Sequence, residues 1–346
     1  MQTRVFDLRR EYEQGLSAAA QEIARGGLVI FPTETVYGIG ADAQNVQAVR
    51  QIFAVKGRPM DNPLIAHVCE MSQVYAAAEL SPLAEKLLSA FWPGPFTAVL
   101  KSRELLPAEV SAGLPTVALR MPGDPVAREL IRRSGKLIAA PSANLSGKPS
   151  GTTAADVAAD FDGLVPVILD GGPAAVGLES TVCDLTGEVP VILRPGGITA
   201  EMIRRECGKV EIAHAVLHGL SKGEAAASPG MKYKHYAPSA KVYVVKAKEE
   251  SALAKGVRAL YDKKGQEGKK VEIFCLDAHA PAYGERNICR LGRNLEELAQ
   301  NLFAALRRAD SRGVEIILFE DVGEAGMGLA VSNRIIRAAG FDILEV

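Results

Sequence analysis

Hydrophobic positions follow two alternating periods along most of the chain. Short β-branched runs are separated by Ala- and Leu-rich segments with apolar residues every three to four positions, a pattern typical of strands alternating with amphipathic helices. In residues 1–212 the pattern predicts strands at Leu28–Phe31, Leu64–Val68, Phe96–Leu100, Val117–Arg120, Leu137–Ala140, Val165–Leu169, Val182–Leu185 and Val191–Leu193. It predicts helices at Ser17–Arg25, Val46–Phe53, Leu83–Phe91, Pro125–Arg133, Ala154–Phe161 and Thr199–Glu206. We therefore expect one large α/β domain around a twisted mixed sheet.

No clear period persists from Ala213 to Ser239, where Gly, Ser, Pro and Ala dominate. A structureless stretch of this length is usually either a linker or a functional lid. Its second half, SPGMKYKHYAP (228–238), contains two Lys, two Tyr and one His, which a plain linker does not need. We therefore predict that 213–240 is an inter-domain linker and a candidate active-site lid. The lid residues would be Lys232, Tyr233, Lys234 and His235.

The alternation resumes after the linker, in residues 241–346. The pattern predicts strands and helices at Lys241–Val245, Ser251–Lys263, Val271–Leu276, Leu295–Asp310, Ile316–Glu320 and Leu329–Ala339. This order describes a small doubly wound (Rossmann-like) α/β domain. A second domain also fits the length of 346 residues, because one core rarely grows beyond roughly 250–300 residues.

Composition and charge exclude several classes of protein. Forty Lys and Arg balance forty-one Asp and Glu, which argues against a surface built throughout for nucleic acid. No run approaches the ~20 apolar residues of a membrane span, and the charged N-terminal segment lacks the apolar core of a secretory signal. The five cysteines form no CxxC pair, which argues against a zinc site or a disulfide framework. We expect a cytoplasmic protein that does not associate with a membrane.

The common phosphate-binding motifs are absent. The chain has no GxxxxGK[ST], and both Gly38-Ile39-Gly40 and Gly326-Met327-Gly328 lack the third glycine of GxGxxG. A Walker-type ATPase and a typical dinucleotide enzyme are therefore disfavoured.

Basic residues stand where predicted elements end. Lys56 and Arg58 close a helix, whereas Arg120 and Arg194 end strands and are followed by Pro and Gly. Ligands of open α/β sheets collect beyond the carboxyl ends of strands, where a fixed arginine grips phosphate or carboxylate in a bidentate fork. A single arginine of this kind more often caps a strand and pairs with a surface acid. Several in one domain favour an anion pocket.

Hydroxyl and amide side chains occupy similar loops. Thr33–Thr35, Ser142–Asn144 and Glu179–Thr181 each read as an ordinary turn, but together they supply neutral donors for a small polar substrate. His67, late in a predicted strand, is more typical of a core histidine than of a catalyst. The residues alone thus predict an anion-binding α/β enzyme with a candidate lid.

At these same residues the chain closely resembles the L-threonylcarbamoyladenylate synthases, in the long form that joins a YrdC-type catalytic domain to a small C-terminal domain. Eight segments carry the resemblance in order: FPTETVYGIGADA (31–43), KGRPMDNPLIAHV (56–68), FWPGPFTAVL (91–100), TVALRMP (116–122), APSANLSGKPSG (140–151), ESTVCDL (179–185), LRPGGIT (193–199) and SPGMKYKHYAP (228–238). The resemblance implies a YrdC-like domain over 1–212, the linker and lid over 213–240, and the small domain over 241–346.

The resemblance also implies a reaction. L-threonine, bicarbonate and ATP, with Mg²⁺, would give L-threonylcarbamoyl-AMP and pyrophosphate. A separate tRNA threonylcarbamoyl transferase complex would then move the threonylcarbamoyl group onto tRNA. Direct contact between this protein and tRNA stays open at this stage.

The family's substrate-binding residues carry over onto matching positions. Those expected to bind ATP are Lys56, Arg58, Asn62, Thr116, Ser142, Asn144, Arg194 and Tyr236. Those expected to meet threonine and the carbamoyl group are Thr35, His67, Arg120, Ala140 and Ser180. Many relatives have a hydroxyl at the position of Ala140, so only a backbone contact carries over there.

The Mg²⁺ ligands are not identified by the sequence, and two rival functions remain. Glu34, Asp42, Asp61, Glu179 and Asp184 are all candidate ligands, although pyrophosphate and water commonly do most of the coordination. One rival is an RNA-binding module of the YrdC type without this catalysis. The other is a carbamoyl-transfer domain like that of hydrogenase maturation factors, which the lack of acylphosphatase-like and zinc-finger segments disfavours.

Overall fold

The computed structural model describes residues 2–218 and 236–346, which belong to two compact units. Within the described residues, the larger comprises 2–146 and 150–218, and the smaller comprises 147–149 and 236–346. Both are α/β, as the sequence predicts. Most of the predicted linker lies outside the described residues, so its role as a linker and lid stays a prediction.

The larger unit is built on one mixed sheet. In chain order its described strands are β1 Arg4–Asp7, β2 Val29–Phe31, β3 Gly38–Asp42, β4 Ile65–His67, β5 Ala78–Glu79, β6 Phe96–Ser102, β7 Thr116–Arg120, β8 Ile138–Ala139, β9 Val167–Asp170, β10 Thr181–Asp184, β11 Val191–Arg194 and β12 Glu211–Ile212. They are ordered β1-β9-β2-β3-β8-β4-β7-β6-β10-β11-β12, with β5 paired to β6. Several neighbours in this order, such as β1 and β9 or β6 and β10, are distant in sequence, so the sheet brings separate loops together.

Helices cover this sheet. Those of the described residues are α1 Tyr12–Ala24, α2 Val46–Lys56, α3 Met71–Ala77, α4 Pro82–Phe91, α5 Ala108–Ser111, α6 Pro125–Ser134, α7 Ala154–Phe161, α8 Ala200–Cys207 and α9 Ala215–His218. Each predicted helix appears, with its ends shifted by a few residues, and α9 lies in a stretch predicted to be structureless.

The two faces of the sheet have different cores. Residues of α2, α4 and α7 pack against one face, whereas α1 and α6 pack against the other. The alternation within β8 shows the division, because Ala139 belongs to the first core and Ile138 to the second. Burial on both faces accounts for the continuous apolar strands of the sequence.

An apolar strip extends the second face beyond its helices. It consists of Ile65, Val99, Ala118, Val182, Leu193 and Ala215. Ile65 lies on this face because its neighbour Ala66 belongs to the opposite core. The alternation then places His67 and Arg120 on the same face, two residues after Ile65 and Ala118 respectively.

The sequence does not predict strand β3. Glycine weakens a strand, and β3 has Gly38 and Gly40. The packing explains them: a Cβ on Gly40 would lie 2.7 Å from the Phe31 ring and 2.6 Å from Ile138. Glycine therefore lets the side chains of Phe31 and Ile138 pack directly against the backbone of β3.

The smaller unit has five parallel strands among its described residues, in the order β15-β14-β16-β13-β17. Its elements are β13 Lys241–Lys246, α10 Glu250–Gln266, β14 Val271–Cys275, a 3₁₀ helix Ala280–Tyr283, β15 Ile288–Arg290, α11 Leu295–Ser311, β16 Ile316–Glu320, α12 Met327–Ala339 and β17 Ile343–Glu345. This is the predicted doubly wound fold. The sequence does not predict the short edge strands β15 and β17.

The short segment Gly147–Pro149 belongs to the smaller unit, although the sequence places it in the first domain. Arg307 donates from Nε and Nη2 to the Pro149 carbonyl at 3.1 and 2.7 Å, and the Ala237 amide donates to the Gly147 carbonyl at 2.9 Å. Across residues 2–218 and 236–346, no helix is both long and apolar enough to cross a bilayer.

Candidate active site

A row of residues crosses five strands of the larger unit in register. His67 of β4 pairs with Arg120 of β7, and the antiparallel pairing of β6 with β7 continues the row at Thr97. Thr97 pairs with Val182 of β10, which pairs with Arg194 of β11. The sequence-predicted His67, Arg120 and Arg194 therefore lie at one end of the sheet.

Arg194 is fixed against Ser180. Its Nε donates to the Ser180 carbonyl at 3.1 Å and its Nη2 to Ser180 Oγ at 3.2 Å, while Ser180 Oγ lies 2.7 Å from Thr97 Oγ1. The register between β10 and β11 shifts at this point, between Val182 and Cys183, and such irregularities often redirect a side chain next to a site. A predicted ATP residue and a predicted threonine residue are thus in direct contact.

Gly196 permits this close approach. A Cβ there would lie 2.4 to 2.6 Å from backbone atoms of Thr181, Glu179 and Ser180. Only glycine lets the Pro-Gly-Gly turn after Arg194 pack directly on the Ser180 backbone.

Arg120 is buried, at 4% exposure, and is held from three directions. Its Nη1 donates to Thr35 Oγ1 at 2.9 Å, its Nε lies 3.4 Å from the Gly94 carbonyl, and its Nη2 lies 2.8 Å from Glu34 Oε1. Thr35 Oγ1 is also 2.8 Å from Thr33 Oγ1. The predicted threonine residues Thr35 and Arg120 are therefore joined by a hydrogen bond.

Glu34 is ionised in this setting. Burial acts to raise the pKa of its carboxyl, but the Arg120 charge and the hydrogen bond from the Gly123 amide outweigh burial and hold the pKa below its usual range. A carboxylate with a lowered pKa is a weak proton acceptor, so Glu34 is poorly suited to act as a general base.

His67 is neutral. Its burial and the nearby Arg120 charge lower its pKa to about 3. Its Nδ1 lies 3.3 Å from the Ile138 carbonyl, which can only accept a hydrogen bond. A neutral ring that donates from Nδ1 has an unprotonated Nε2, so His67 offers a lone pair at that nitrogen.

A second group of predicted residues surrounds the loop after β8. Helix α2 ends at Gly57 in the left-handed conformation, with φ at 60°, directly after Lys56. Lys56 Nζ donates to the carbonyls of Ser142 and Asn144 at 2.6 and 2.5 Å, and Ser142 Oγ donates to Asn144 Oδ1 at 2.6 Å. The lysine therefore fixes the backbone of the loop whose side chains are predicted to bind ATP.

Asn62 and Thr116 lie where β4 and β7 begin. Arg58 Nη2 donates to the carbonyls of Asn62 and Pro63 at 3.3 and 3.1 Å, which fixes the turn into β4. The Asn62 side chain is 1% exposed, and neither its Oδ1 nor its Nδ2 finds a hydrogen-bond partner in the part of the chain that the structure describes. A buried amide without partners is costly unless a ligand satisfies it.

The predicted residues thus form two groups along the same strands. Thr116 and Arg120 are the ends of β7, about 13 Å apart at ~3.3 Å per residue. Ala140 lies between the groups, where its amide donates to the Ile65 carbonyl at 3.0 Å. An elongated ligand can therefore reach from the first group to the second across one sheet face.

Tyr236 belongs to the smaller unit. Its ring stacks on Phe303 with centroids 5.1 Å apart, and Arg334 Cζ lies 5.7 Å from the ring centre. Its predicted contact with ATP stays a prediction. The predicted lid residues Lys232, Tyr233, Lys234 and His235 lie outside the described residues.

The candidate Mg²⁺ ligands do not form a cation site of their own. Residues 2–218 and 236–346 contain no cluster of three or more acidic, His or Cys side chains arranged to hold a metal. Asp42 pairs with Lys136 at 3.0 Å, Asp184 Oδ1 accepts from the Thr186 hydroxyl at 2.7 Å, and Glu179 accepts from Ser150 Oγ at 2.5 Å. Glu34 pairs with Arg120, and Asp61 is exposed.

Sequence reasoning did not identify Thr97 or Gly94, and it considered Glu34 only as a metal ligand. Thr97 interrupts the apolar start of β6, and this polar residue on a buried strand was the available signal. Gly94 and Glu34 give no such signal, because their contacts to Arg120 depend on strand order.

Comparison with known proteins now decides the family. The sequence model of the Sua5–YciO–YrdC family, described as telomere recombination, matches residues 21–196, and that of the threonylcarbamoyl-AMP synthase C-terminal domain matches residues 198–340. A threonylcarbamoyl-AMP synthase of Pyrococcus abyssi is 46% identical over 99% of this chain and 100% of its own length. The chain belongs to the threonylcarbamoyl-AMP synthase family. The resemblance predicted from the sequence is confirmed, and the protein is an enzyme.

Other relatives agree along nearly the whole chain. The threonylcarbamoyl-AMP synthase of Bacillus subtilis is 43% identical over 95% of this chain and 94% of its own length. A crystal structure of the Pyrococcus abyssi protein Sua5, complexed with L-threonine, has a TM-score of 0.90 at 47% identity and covers 96% of both chains. The two-domain form of the family is therefore also confirmed.

Proposed function

We propose that this protein is a nucleotidyltransferase that forms L-threonylcarbamoyl-AMP and pyrophosphate from L-threonine, bicarbonate and ATP. The observation that carries the proposal is the hydrogen bond from Arg194 to Ser180 within the row that also contains Arg120 and His67. It joins a cation suited to phosphate to the group of residues suited to an amino acid. The similarity to a Sua5 protein crystallised with L-threonine supports the same assignment.

Threonine would bind at the end of β4 and β7. Arg120 presents a buried guanidinium to the carboxylate of the bound threonine, and Thr35 and Ser180 offer hydroxyls nearby. His67 is neutral and has a lone pair at Nε2 for a hydrogen of the threonine amine or hydroxyl. A neutral acceptor suits this position, because a second cation would repel the amine while it is protonated.

ATP would lie along the strands from the second group toward Arg194 in the first group. Asn62, Thr116, Ser142 and Asn144 supply polar groups at the far end, and the Asn62 amide, which has no hydrogen-bond partner among the described residues, suits a nucleoside. Arg194 would then meet the α-phosphate beside threonine, where the new bond forms.

The proposed chemistry runs in two steps. The unprotonated threonine amine attacks the carbon of bicarbonate, a C–N bond forms, and water leaves to give a carbamate. A carbamate oxygen then attacks the α-phosphorus, and the bond from that phosphorus to the bridging oxygen breaks to release pyrophosphate. Arg194 offsets the charge that develops on the α-phosphate, so catalysis is mainly proximity and electrostatics.

Mg²⁺ would enter as part of the MgATP substrate. Because the acids near the site are engaged with protein partners, phosphate oxygens and water would supply most of its ligands. The carbamate is unstable in water, so the lid of residues 228–238, with Tyr236 reaching ATP, would exclude solvent until adenylation. The product would pass to a tRNA threonylcarbamoyl transferase complex in the cytoplasm.

The decisive experiment is pyrophosphate release from purified protein. We expect release only when threonine, bicarbonate and MgATP are all present, with L-threonylcarbamoyl-AMP as the second product by mass spectrometry. An RNA-binding module would release none and would bind RNA with an affinity that falls steeply with salt. Release that needs no threonine or no bicarbonate would contradict the proposal.

A further inference from the structure

We propose that Glu34 is a positioning residue for threonine binding, one that acts by fixing the guanidinium of Arg120. The inference rests on the proposed function, because it takes Arg120 as the group that receives the threonine carboxylate. It assigns Glu34 a role different from metal ligation.

Both oxygens of the Glu34 carboxylate are occupied by groups near Arg120. Oε1 lies 2.8 Å from Arg120 Nη2 and accepts from the Gly123 amide at 2.9 Å, while Oε2 accepts from the Asp124 amide at 3.3 Å. The Glu34 side chain is 15% exposed and that of Arg120 is 5% exposed. The carboxylate therefore ties the arginine to the backbone turn that follows β7.

The contacts leave Arg120 with donors for a ligand. A guanidinium has five N–H groups. In Arg120 one points toward the Gly94 carbonyl and one binds Thr35 Oγ1. Nη2 is buried and close to Glu34, yet it makes no hydrogen bond of good geometry to any residue in the described ranges. A carboxylate that approaches this edge would complete the arginine's hydrogen bonds.

Charge explains why a glutamate is needed. Without Glu34, the groups that hold Arg120 by its described contacts would be the Thr35 hydroxyl and the Gly94 carbonyl, which are both neutral. The carboxylate gives one orientation a strong preference, since opposite charges 2.8 Å apart attract strongly when both side chains are buried. Glu34 therefore pre-organises the site for the carboxylate of an amino acid before that substrate arrives.

The test compares Glu34→Gln with Glu109→Gln in steady-state pyrophosphate release. Gln keeps the size of the side chain and removes its charge. Glu109 is the matched control, because it pairs with Arg50 at 2.7 Å on the surface of the same unit. We expect Glu34→Gln to raise KM for threonine about tenfold or more, with KM for ATP changed less than twofold. Glu109→Gln should change neither.

A double variant separates positioning from a general structural effect. If Glu34 acts through Arg120, adding Glu34→Gln to Arg120→Ala should change KM for threonine by less than twofold. If the rises in KM for threonine caused by the two single substitutions multiply in the double variant, the inference is overturned. It is also overturned if Glu34→Gln raises KM for threonine and KM for ATP equally. Glu34→Asp keeps the charge and should recover part of the threonine affinity; it also serves if Glu34→Gln does not fold.

The same measurements distinguish this inference from the proposed function. If Arg120→Ala leaves KM for threonine unchanged, the proposed threonine site is wrong. If Arg120→Ala raises that KM but Glu34→Gln does not, only the positioning role fails.

Discussion

Arg194 and Ser180 are joined by two hydrogen bonds, one from Nε to the serine carbonyl at 3.1 Å and one from Nη2 to the hydroxyl at 3.2 Å. The same hydroxyl lies 2.7 Å from Thr97 Oγ1. The backbone and side chain of one residue thus orient a cation that is buried on the sheet. This arrangement fixes Arg194 before any ligand binds, so it costs little reorganisation during the reaction.

Replacement of Arg194 should reduce turnover strongly. Arg194→Ala removes a pre-oriented donor from the proposed α-phosphate position, and we expect kcat for pyrophosphate release to fall about 10²–10³-fold. Arg194→Lys should recover little, because an ammonium cannot contact Ser180 and a phosphate in the same fork. The control is Arg9→Ala, since Arg9 is exposed and pairs only locally with Asp7 among the described residues. A wild-type kcat for Arg194→Ala would remove the residue from the site.

Replacement of Asn62 should weaken nucleotide binding without reducing the stability of the fold. Both polar atoms of its buried amide find no partner within residues 2–218 and 236–346, so the folded protein gains little from them. Asn62→Leu should therefore leave the free energy of unfolding unchanged within about 1 kcal/mol or raise it. It should nevertheless increase KM for ATP about tenfold, because a bound nucleotide would lose its hydrogen bonds to the amide.

Urea unfolding and ATP titration of the same variant provide the measurement. A large loss of stability would show that Asn62 serves the fold, and an unchanged KM for ATP would show that the nucleotide does not reach it. Thr186→Val is the control, because Thr186 makes its described hydrogen bonds to Asp184 alone.

The sequence predicts the elements better than the contacts between them. Arg120 and Arg194 were identifiable because each ends an apolar strand and is followed by a Pro-Gly turn. Strand β3 was not, because glycines are rare inside strands and Gly40 is explained by two residues that lie against it, Phe31 and Ile138. The local sequence pattern does not predict a residue type that is determined by packing against a residue distant in the chain.

The partners within the site follow from strand order, which has no local signature. Glu34 precedes β3 in the chain and Arg120 ends β7, and the two side chains meet although β8 and β4 lie between those strands in the sheet. Asn62 has the sequence context of an ordinary turn residue, and only the fold shows that its amide is buried without a hydrogen-bond partner in the described part of the chain. Composition and periodicity predict that an anion site exists, whereas the register determines which residues share it.

His67→Asn should weaken threonine binding selectively. Asn places an amide N–H near the position of Nδ1, so it can still donate to the Ile138 carbonyl, but it has no group at the position of Nε2. We expect KM for threonine to rise about tenfold and KM for ATP to stay within twofold. His67→Gln, whose amide reaches the Nε2 position, should recover part of the loss. Equal kinetics for Asn and wild type would exclude a role for Nε2.

Acid should destabilise the larger unit through His67. Its pKa is lowered to about 3 in the folded protein, mainly by burial, against 6.5 as the ordinary value. Between these values the unfolded chain binds a proton that the folded protein does not. The stability that the neutral His67 contributes is therefore fully present above pH 6.5 and is lost as the pH drops toward 3. At pH 5 the loss from this residue is about 2 kcal/mol relative to pH 8.

Urea unfolding followed by the fluorescence of Trp92 measures this loss. Trp92 is the single tryptophan of the chain and lies in the larger unit, so the signal reports that unit. We expect His67→Asn to flatten the dependence of the free energy of unfolding on pH between 5 and 8. If His67→Asn and wild type lose the same free energy between pH 8 and pH 5, His67 is not the neutral buried group that the fold implies.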